Sequence, residues 1–208
     1  MNAAVLPLLL ALGAAAAPAP RLPADALPVP LIAQSTSYSC GAAALMSTLL
    51  YWNTGYDSDE SALFPLLGTT PERGTPPDAI ARVADSFGLH ASLSENLTED
   101  DLRLALERGE TVIMDLQAWR AEGSTTPWAA NWEDGHYVVL VGLDRAYAYV
   151  MDPSAFGAYA YVPLSELPDR WHDYEDRLGL VWRTRRLGIL IRGKNPRRGY
   201  PERLIRML

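Results

Sequence analysis

The sequence predicts an α+β fold in which helices come first and a largely antiparallel sheet follows. Two observations support this prediction. Helical patterns with recognisable starts begin at Cys40, Thr75 and Thr98. From Thr111 onward the chain changes to short runs rich in β-branched and aromatic residues, which are typical of strands. We therefore expect the N-terminal helices to pack on one sheet.

The composition fits a single domain without a metal. The chain has 208 residues, and 49% of them are apolar, which is enough for one packed core. It has one Cys and three His. That excludes an internal disulfide and a Cys-rich zinc site, and it leaves little material for a His-based metal site. We expect no metal or organic cofactor.

Charge is distributed unevenly along the chain. From Arg183 to Leu208 there are nine basic residues and one acidic residue, whereas the whole chain has a net charge of −7. The main body is therefore acidic, which argues against a nucleic-acid groove. Residues 193–208 are predicted to form a solvated basic extension; peripheral contact with an anionic membrane or an acidic partner is the alternative.

Residues 1–26 are predicted to be a signal peptide and an Ala/Pro-rich lead-in. Ala3–Ala17 has the length of a signal-peptide core and is short for a membrane span. Small residues at Ala14 and Ala16 offer a cleavage site, but no Lys or Arg precedes the apolar run. An uncleaved anchor or an Ala-rich tail is the alternative. The prediction is an exported protein, periplasmic or secreted, with its domain at residues 27–192.

Three helices are predicted, over Cys40–Trp52, Thr75–Phe87 and Thr98–Gly109. The first is apolar almost all round, which is typical of a buried helix. Ser39 precedes this helix as a predicted N-cap, which places Cys40 in its first turn. Gly and Pro residues flank the second helix and fix its ends.

Strands are predicted over residues 111–117, 136–142, 147–151, 158–162 and 187–191. The long segment before the second strand contains Trp119, Trp128 and Trp132, and its length indicates function or disorder. These tryptophans line a peptide groove in one interpretation and form a satellite core in the other. His172 and its neighbours are predicted to lie on an amphipathic helix near the sheet, with a substrate pocket as the alternative.

Four residues have the chemistry of a thiol nucleophile and its helpers. Cys40 at a helix start gains thiolate stability from the helix dipole. His136 opens one predicted strand and Asp152 ends the next, so antiparallel pairing places the carboxylate beside the imidazole it would orient. Gln34, six residues before Cys40, could donate to an oxyanion together with the Cys40 backbone N–H.

Each of these residues has a structural alternative. Cys40 could be a small core residue, His136 a strand-end histidine, and Asp152 a turn residue. Asp144 is a rival orienting carboxylate, but it lies at the far end of the His136 strand, where a turn Asp is expected. His90 is predicted to be structural or exposed.

Three segments together resemble a known family. Residues 34–45 (QSTSYSCGAAAL), 135–142 (GHYVVLVG) and 150–153 (VMDP) look like the nucleophile motif, the His strand and the Asp element of the bacteriocin-processing peptidases. These are papain-like cysteine peptidases that cut double-glycine leader peptides. The resemblance covers residues 28–171.

The resemblance implies a papain-like fold with a catalytic Cys40, a base at His136, an orienting Asp152 and an oxyanion-hole Gln34. Many members of the family are N-terminal domains of membrane-spanning exporters, whereas this chain looks like the freestanding, exported branch. Tyr38-Ser39 also replaces the polar–Asp pair common before the nucleophile of exporter-linked members.

The predicted function is hydrolysis of a peptide bond, with Gly-Gly as one candidate cleavage site. The partner would be a peptide or protein substrate. Two alternatives are kept: a catalytically silent papain-like module that binds peptides, and a hydrolase of cell-wall peptides that uses the same Cys–His chemistry.

Overall fold

The structure, a computed structural model, describes residues 20–177, 179–199 and 204–207. The predicted signal-peptide core, Ala3–Ala17, lies outside the described residues. Among the residues within those ranges, no helix combines the length and apolar character needed to cross a membrane.

The described chain contains five α-helices and nine strands. The helices are α1 (Cys40–Tyr51), α2 (Phe64–Leu67), α3 (Pro77–Ser86), α4 (Glu99–Glu107) and α5 (Leu167–Arg170). The strands are β1 (His90–Ser94), β2 (Thr111–Gln117), β3 (Gly135–Leu143), β4 (Tyr147–Met151), β5 (Tyr159–Pro163), β6 (His172–Arg177), β7 (Leu180–Arg185), β8 (Gly188–Arg192) and β9 (Leu204–Arg206). The predicted α+β class, with early helices packed on an antiparallel sheet, is confirmed.

Seven strands form one sheet in the order β1-β8-β2-β3-β4-β5-β9. All neighbouring pairs are antiparallel except β5 and β9, which are parallel. Strands β6 and β7 form a separate antiparallel hairpin. The central β3 is hydrogen-bonded to β2 on one side and β4 on the other, so the residues at its start lie between the ends of both neighbours.

Apolar residues cover both faces of this sheet, because alternate side chains of a strand point to opposite sides. Val139 of β3 belongs to the cluster that contains α1 and α3 residues, and Val138 belongs to the cluster with Leu102 of α4 and Leu167 of α5. The sheet is therefore a middle layer, and α1, which starts at Cys40, packs on β3.

Both ends of α1 are anchored. At its start, a Cβ on Gly41 would come within 2.6 Å of the Thr75 Cβ, so only Gly permits this close packing. At its end, the buried Trp52 indole donates to Thr111 Oγ1 on β2 (3.1 Å), and that hydroxyl donates to the Ile191 carbonyl on β8 (3.1 Å). The helix is therefore fixed against the sheet along its length.

Ser39 is the N-cap residue of α1 as predicted, although its Oγ donates to the Thr36 carbonyl and makes no capping bond to the helix. The helix predicted around His172 is wrong. His172 begins strand β6 and does not lie on a helix, because α5 ends at Arg170 after a single turn. Pairing with β7 provides the backbone partners that a longer helix would otherwise have supplied.

Part of the basic segment predicted as an extension lies against the domain. β9 pairs with β5 at the edge of the sheet. The Arg197 backbone N–H donates to the Tyr51 carbonyl (2.6 Å), and the Asn195 carbonyl accepts from the Asn53 side chain (2.9 Å). These bonds to the backbone explain why the basic segment lies against the domain, since its positive charge by itself would have favoured exposure to solvent.

We expect Thr111→Val to lower the free energy of unfolding by about 2 kcal/mol, because it leaves the buried Trp52 N–H without an acceptor. Urea denaturation monitored by tryptophan fluorescence measures the change. Thr125→Val, at an exposed position, is the matched control and should stay within about 0.5 kcal/mol of wild type. Identical urea midpoints for Thr111→Val and wild type would contradict this role of the hydroxyl.

Candidate active site

The structure brings Cys40 and His136 together. Cys40 is the first residue of α1 and is partly exposed, and His136 is the second residue of β3 and is buried. Cys40 interacts with the imidazole, and this interaction raises the pKa of His136. The start of α1 and the start of β3 therefore lie next to each other, which brings the Cys40 thiol to the His136 ring.

Asp152 lies on the other side of the imidazole. It follows β4 directly, and its Oδ1 is 2.7 Å from His136 Nε2. Nδ1 is therefore the ring nitrogen left for the thiol. Burial by itself lowers the pKa of His136, but the charge and hydrogen bond of Asp152, with a smaller contribution from Cys40, raise it to about 10. The imidazole is thus held as an imidazolium at neutral pH.

Two further donors hold the Asp152 carboxylate in place. The Ser154 backbone N–H donates to Oδ1 (2.7 Å), and the Trp119 indole N–H donates to Oδ2 (2.8 Å). Burial raises the pKa of Asp152, but the His136 charge and these hydrogen bonds outweigh it and lower the pKa below its ordinary value. The buried carboxylate is therefore charged and oriented by three donors.

Gln34 lies beside the residues that follow Asp152. Its backbone N–H donates to the Pro153 carbonyl (3.1 Å), and its Oε1 accepts from Ser154 Oγ (3.2 Å). One proton of the Gln34 side-chain NH2 is used by the Thr36 carbonyl (2.7 Å), and the group has a second proton to donate. Ser154 thus connects Gln34 to Asp152.

A pair of carboxyl groups lies on the thiol side of the site. Asp115 of β2 is only 4% exposed and hydrogen-bonds with Asp173 of β6. The raised pKa of Asp115 favours its protonated form, which can donate to the Asp173 carboxylate. Burial makes the largest contribution to raising the pKa of Asp115, and the charges of Asp173 and Cys40 raise it further. Any Cβ at Gly135 would overlap the Asp173 carboxylate, so glycine is required there.

The remaining candidates from the sequence have structural surroundings. Asp144 accepts from the Tyr149 hydroxyl (2.6 Å) and from two backbone N–H groups of the β3–β4 turn, away from His136. His90 is exposed at the start of β1. His172 is buried, bonds to the Asn131 carbonyl (2.6 Å) and contacts the Trp132 ring. Within the described residues, no cluster of three or more potential ligands could hold a metal ion.

Sequence reasoning missed Ser154 and Asp115. The serine gives no signal by itself, because a Ser after Asp-Pro is an ordinary turn residue. Asp115 does give one: it is a carboxylate inside the otherwise apolar strand that begins at Thr111. Trp119 was noticed, but its hydrogen bond to Asp152 depends on a left-handed backbone (φ 58°) that no sequence pattern indicated.

Asp152→Asn should lower the pKa of His136 from about 10 toward or below its ordinary value of about 6.5, because burial then acts without the carboxylate charge. NMR titration of the histidine rings measures this shift. Because the pKa of His136 is raised on folding and that of Asp152 is lowered, the pair's contribution to stability should be complete between about pH 4 and pH 6.5. It should be lost as pH rises through about 10, and lost again in acid as Asp152 is protonated.

Asp144→Asn is the matched control for this titration, since it removes an equal charge that does not contact His136. It should leave the His136 titration unchanged. An unaltered His136 pKa in Asp152→Asn would show that the carboxylate does not set the charge of the imidazole.

Several solved structures share the fold of this chain. A double glycine motif protease from an AMS/PCAT transporter, in complex with the leader peptide, matches with a TM-score of 0.55 and 19% identity over 84% of this chain and 98% of the other. A protein from Bacillus anthracis described as a C39-like peptidase matches with a TM-score of 0.58 and 19% identity over 80% and 96%. The peptidase domain of Streptococcus ComA matches with a TM-score of 0.51 and 16% identity over 80% and 99%.

At these identities the solved structures establish the fold, which is the papain-like fold expected from the sequence. No curated protein matches the chain. A family profile matches residues 26–177, which is most of the chain and includes Cys40, His136 and Asp152. The chain therefore belongs to the Peptidase_C39 like family.

Proposed function

We propose that this protein is a cysteine peptidase in which Cys40 is the nucleophile, His136 the proton carrier and Asp152 the orienting carboxylate. One observation supports this most strongly: the buried Asp152 carboxylate lies 2.7 Å from His136 Nε2, and Cys40 interacts with the same ring. A structural histidine would need neither a charged partner nor a thiol. Together they favour a thiolate–imidazolium pair.

The reaction follows from this pair. The Cys40 thiolate attacks the carbonyl carbon of the scissile peptide bond and forms a tetrahedral oxyanion. The imidazolium of His136 gives its proton to the leaving amine, the C–N bond breaks, and a thioester remains. His136 then takes a proton from water, the resulting hydroxide attacks the thioester, and the proton returns to the departing sulfur.

Gln34 and the Cys40 backbone N–H are the proposed oxyanion donors. The second proton of the Gln34 amide is free for this bond, because its first is used by Thr36 and its Oε1 is held by Ser154. The Cys40 N–H belongs to the first turn of α1, where backbone N–H groups have no partner within the helix. Both donors are oriented before substrate binds, which is what oxyanion stabilisation needs.

The proposed substrate is a peptide, and Gly-Gly sequences are the first to test, since a protein of the same fold is a double glycine motif protease bound to a leader peptide. The N-terminal sequence supports the further proposal that the enzyme is exported and acts outside the cytoplasm.

A catalytically silent binding module would share the fold and lack the reactive thiol. The reactivity of Cys40 therefore distinguishes a peptidase from a binding module.

We expect Cys40 to react with iodoacetamide at pH 6 many times faster than it does in His136→Ala. The reason is that the positive charge of His136, present up to about pH 10, stabilises the thiolate. Mass spectrometry of the intact protein gives the rates. His90→Ala, an exposed histidine of β1, is the control and should react like wild type.

Equal rates in wild type and His136→Ala at pH 6 would mean that the pair is not assembled. The peptide-binding module would then replace the peptidase as the proposed function.

Gln34→Ala should lower kcat about a hundred- to thousandfold on any peptide that the wild type cleaves, with little change in KM, because the lost bond forms mainly in the transition state. Ser37→Ala changes an exposed side chain of the same loop and serves as the control. A Gln34→Ala enzyme with wild-type kcat would remove Gln34 from the mechanism, and a fully active Cys40→Ala protein would refute the mechanism itself.

A further inference from the structure

An arginine pocket lies next to the proposed triad. It is a cavity of about 580 Å³ lined by the residues 119–124 and by Trp128, Glu166, Arg170, Arg206 and Met207. Three guanidinium groups, those of Arg120, Arg170 and Arg206, line it together with the carboxylates of Glu122 and Glu166. In a chain with a net charge of −7, this is a local concentration of positive charge.

Arg170 is fully buried, and its hydrogen bonds are incomplete. Nε donates to the Gln117 carbonyl (3.0 Å) and Nη1 to Glu166 (3.0 Å). Nη2 is buried without a hydrogen-bond partner among the described residues. Burial lowers the pKa of Arg170, and the positive charges of Arg206 and Arg120 lower it further. The carboxylate of Glu166 opposes this effect only in part. A buried cation with a free donor gains free energy when an anion approaches.

Trp128 separates two of these cations. Its ring lies 4.4 Å from the Arg120 guanidinium carbon and 4.0 Å from that of Arg170. These stacked contacts hold the planar guanidinium groups in place. Arg120 also donates from Nη1 to the Thr126 carbonyl (2.9 Å), which leaves its other N–H groups for a ligand. Glu166 is shared between Arg170 and Arg206 (2.7 Å), so it cannot neutralise both.

One side chain separates the pocket from the triad. Trp119 lines the cavity, and its indole N–H donates to Asp152 (2.8 Å). A ligand in the pocket therefore contacts a residue that touches the orienting carboxylate.

We propose that the arginine pocket is a subsite for a carboxylate of the substrate, supplied by an acidic residue close to the scissile bond. This proposal rests on the proposed peptidase function and names its substrate class as acidic peptides. Glu122 and Glu166 together offset two of the three arginine charges, so the remaining single positive charge matches a carboxylate better than it matches a dianion such as phosphate. A guanidinium edge also fits a carboxylate with two parallel hydrogen bonds.

Binding is tested on the full chain with Cys40→Ser, so that no peptide is consumed. The probes are Ac-Gly-Glu-Gly-NH2, its Gln counterpart and inorganic phosphate. The readout is the NMR signal of the tryptophan indole N–H groups, assigned with Trp128→Phe and Trp119→Phe. We expect the Glu peptide to shift the Trp128 and Trp119 signals and to bind about tenfold more tightly than the Gln peptide.

Variants of the pocket complete the test. Arg120→Gln and Arg206→Gln should each remove the preference for Glu over Gln, and both sites are far enough from the core to keep the fold. Arg82→Gln removes an equal charge from the exposed face of α3 and should keep the preference. Equal binding of both peptides, shifts with phosphate alone, or a preference that survives Arg120→Gln would overturn the proposal.

This experiment separates the pocket from the peptidase. Selective binding of the Glu peptide by a protein whose Cys40 is unreactive would support the pocket and reject the peptidase. If the wild type cleaved neutral and acidic peptides with equal kcat/KM, the result would support the peptidase and reject the pocket as a subsite for acidic residues.

Discussion

The site depends on one buried ion pair, His136 with Asp152. Each partner loses hydration on burial, and the pair is maintained only because Asp152 also receives bonds from Ser154 and Trp119. The geometry comes from the antiparallel pairing of β3 with β4, which places the start of one strand beside the end of the other. Moving β4 by one residue would turn Asp152 to the opposite direction and leave His136 uncompensated.

Two separate segments are attached at the end of β4 because of this carboxylate. The chain before α1 is attached through Gln34 and Ser154, and the loop between β2 and β3 is attached through Trp119. The positions of the proposed oxyanion donor and of the arginine pocket therefore depend on the same residue that orients the imidazole. A single buried charge would therefore organise the proposed catalysis and the proposed substrate contact together, since Ser154 and Trp119, which donate to it, also attach these two segments.

The sequence predicted the parts of the site that rest on periodicity and order. The apolar helix after Ser39, the β-branched run after Gly135 and the strand before Asp152 each indicated their element, and their order indicated the meeting of Cys40, His136 and Asp152. It did not predict contacts made by loops. Trp119 reaches Asp152 through a left-handed backbone, and β6 starts where local composition suggested a helix. Such features are decided by tertiary partners.

The two faces of the sheet differ in charge at this end. By alternation, Asp115 shares with Ile113 the face of β2 that packs under α1, and its carboxyl pair lies on the thiol side. Trp119 packs with the apolar cluster on the other face and borders the arginines. Under the proposed function, an acidic substrate residue would be repelled on the first side and attracted on the second, and a basic residue would have the opposite preference. Selectivity that combines attraction with repulsion exceeds what either supplies alone, and here it would also set the direction in which a peptide crosses Cys40.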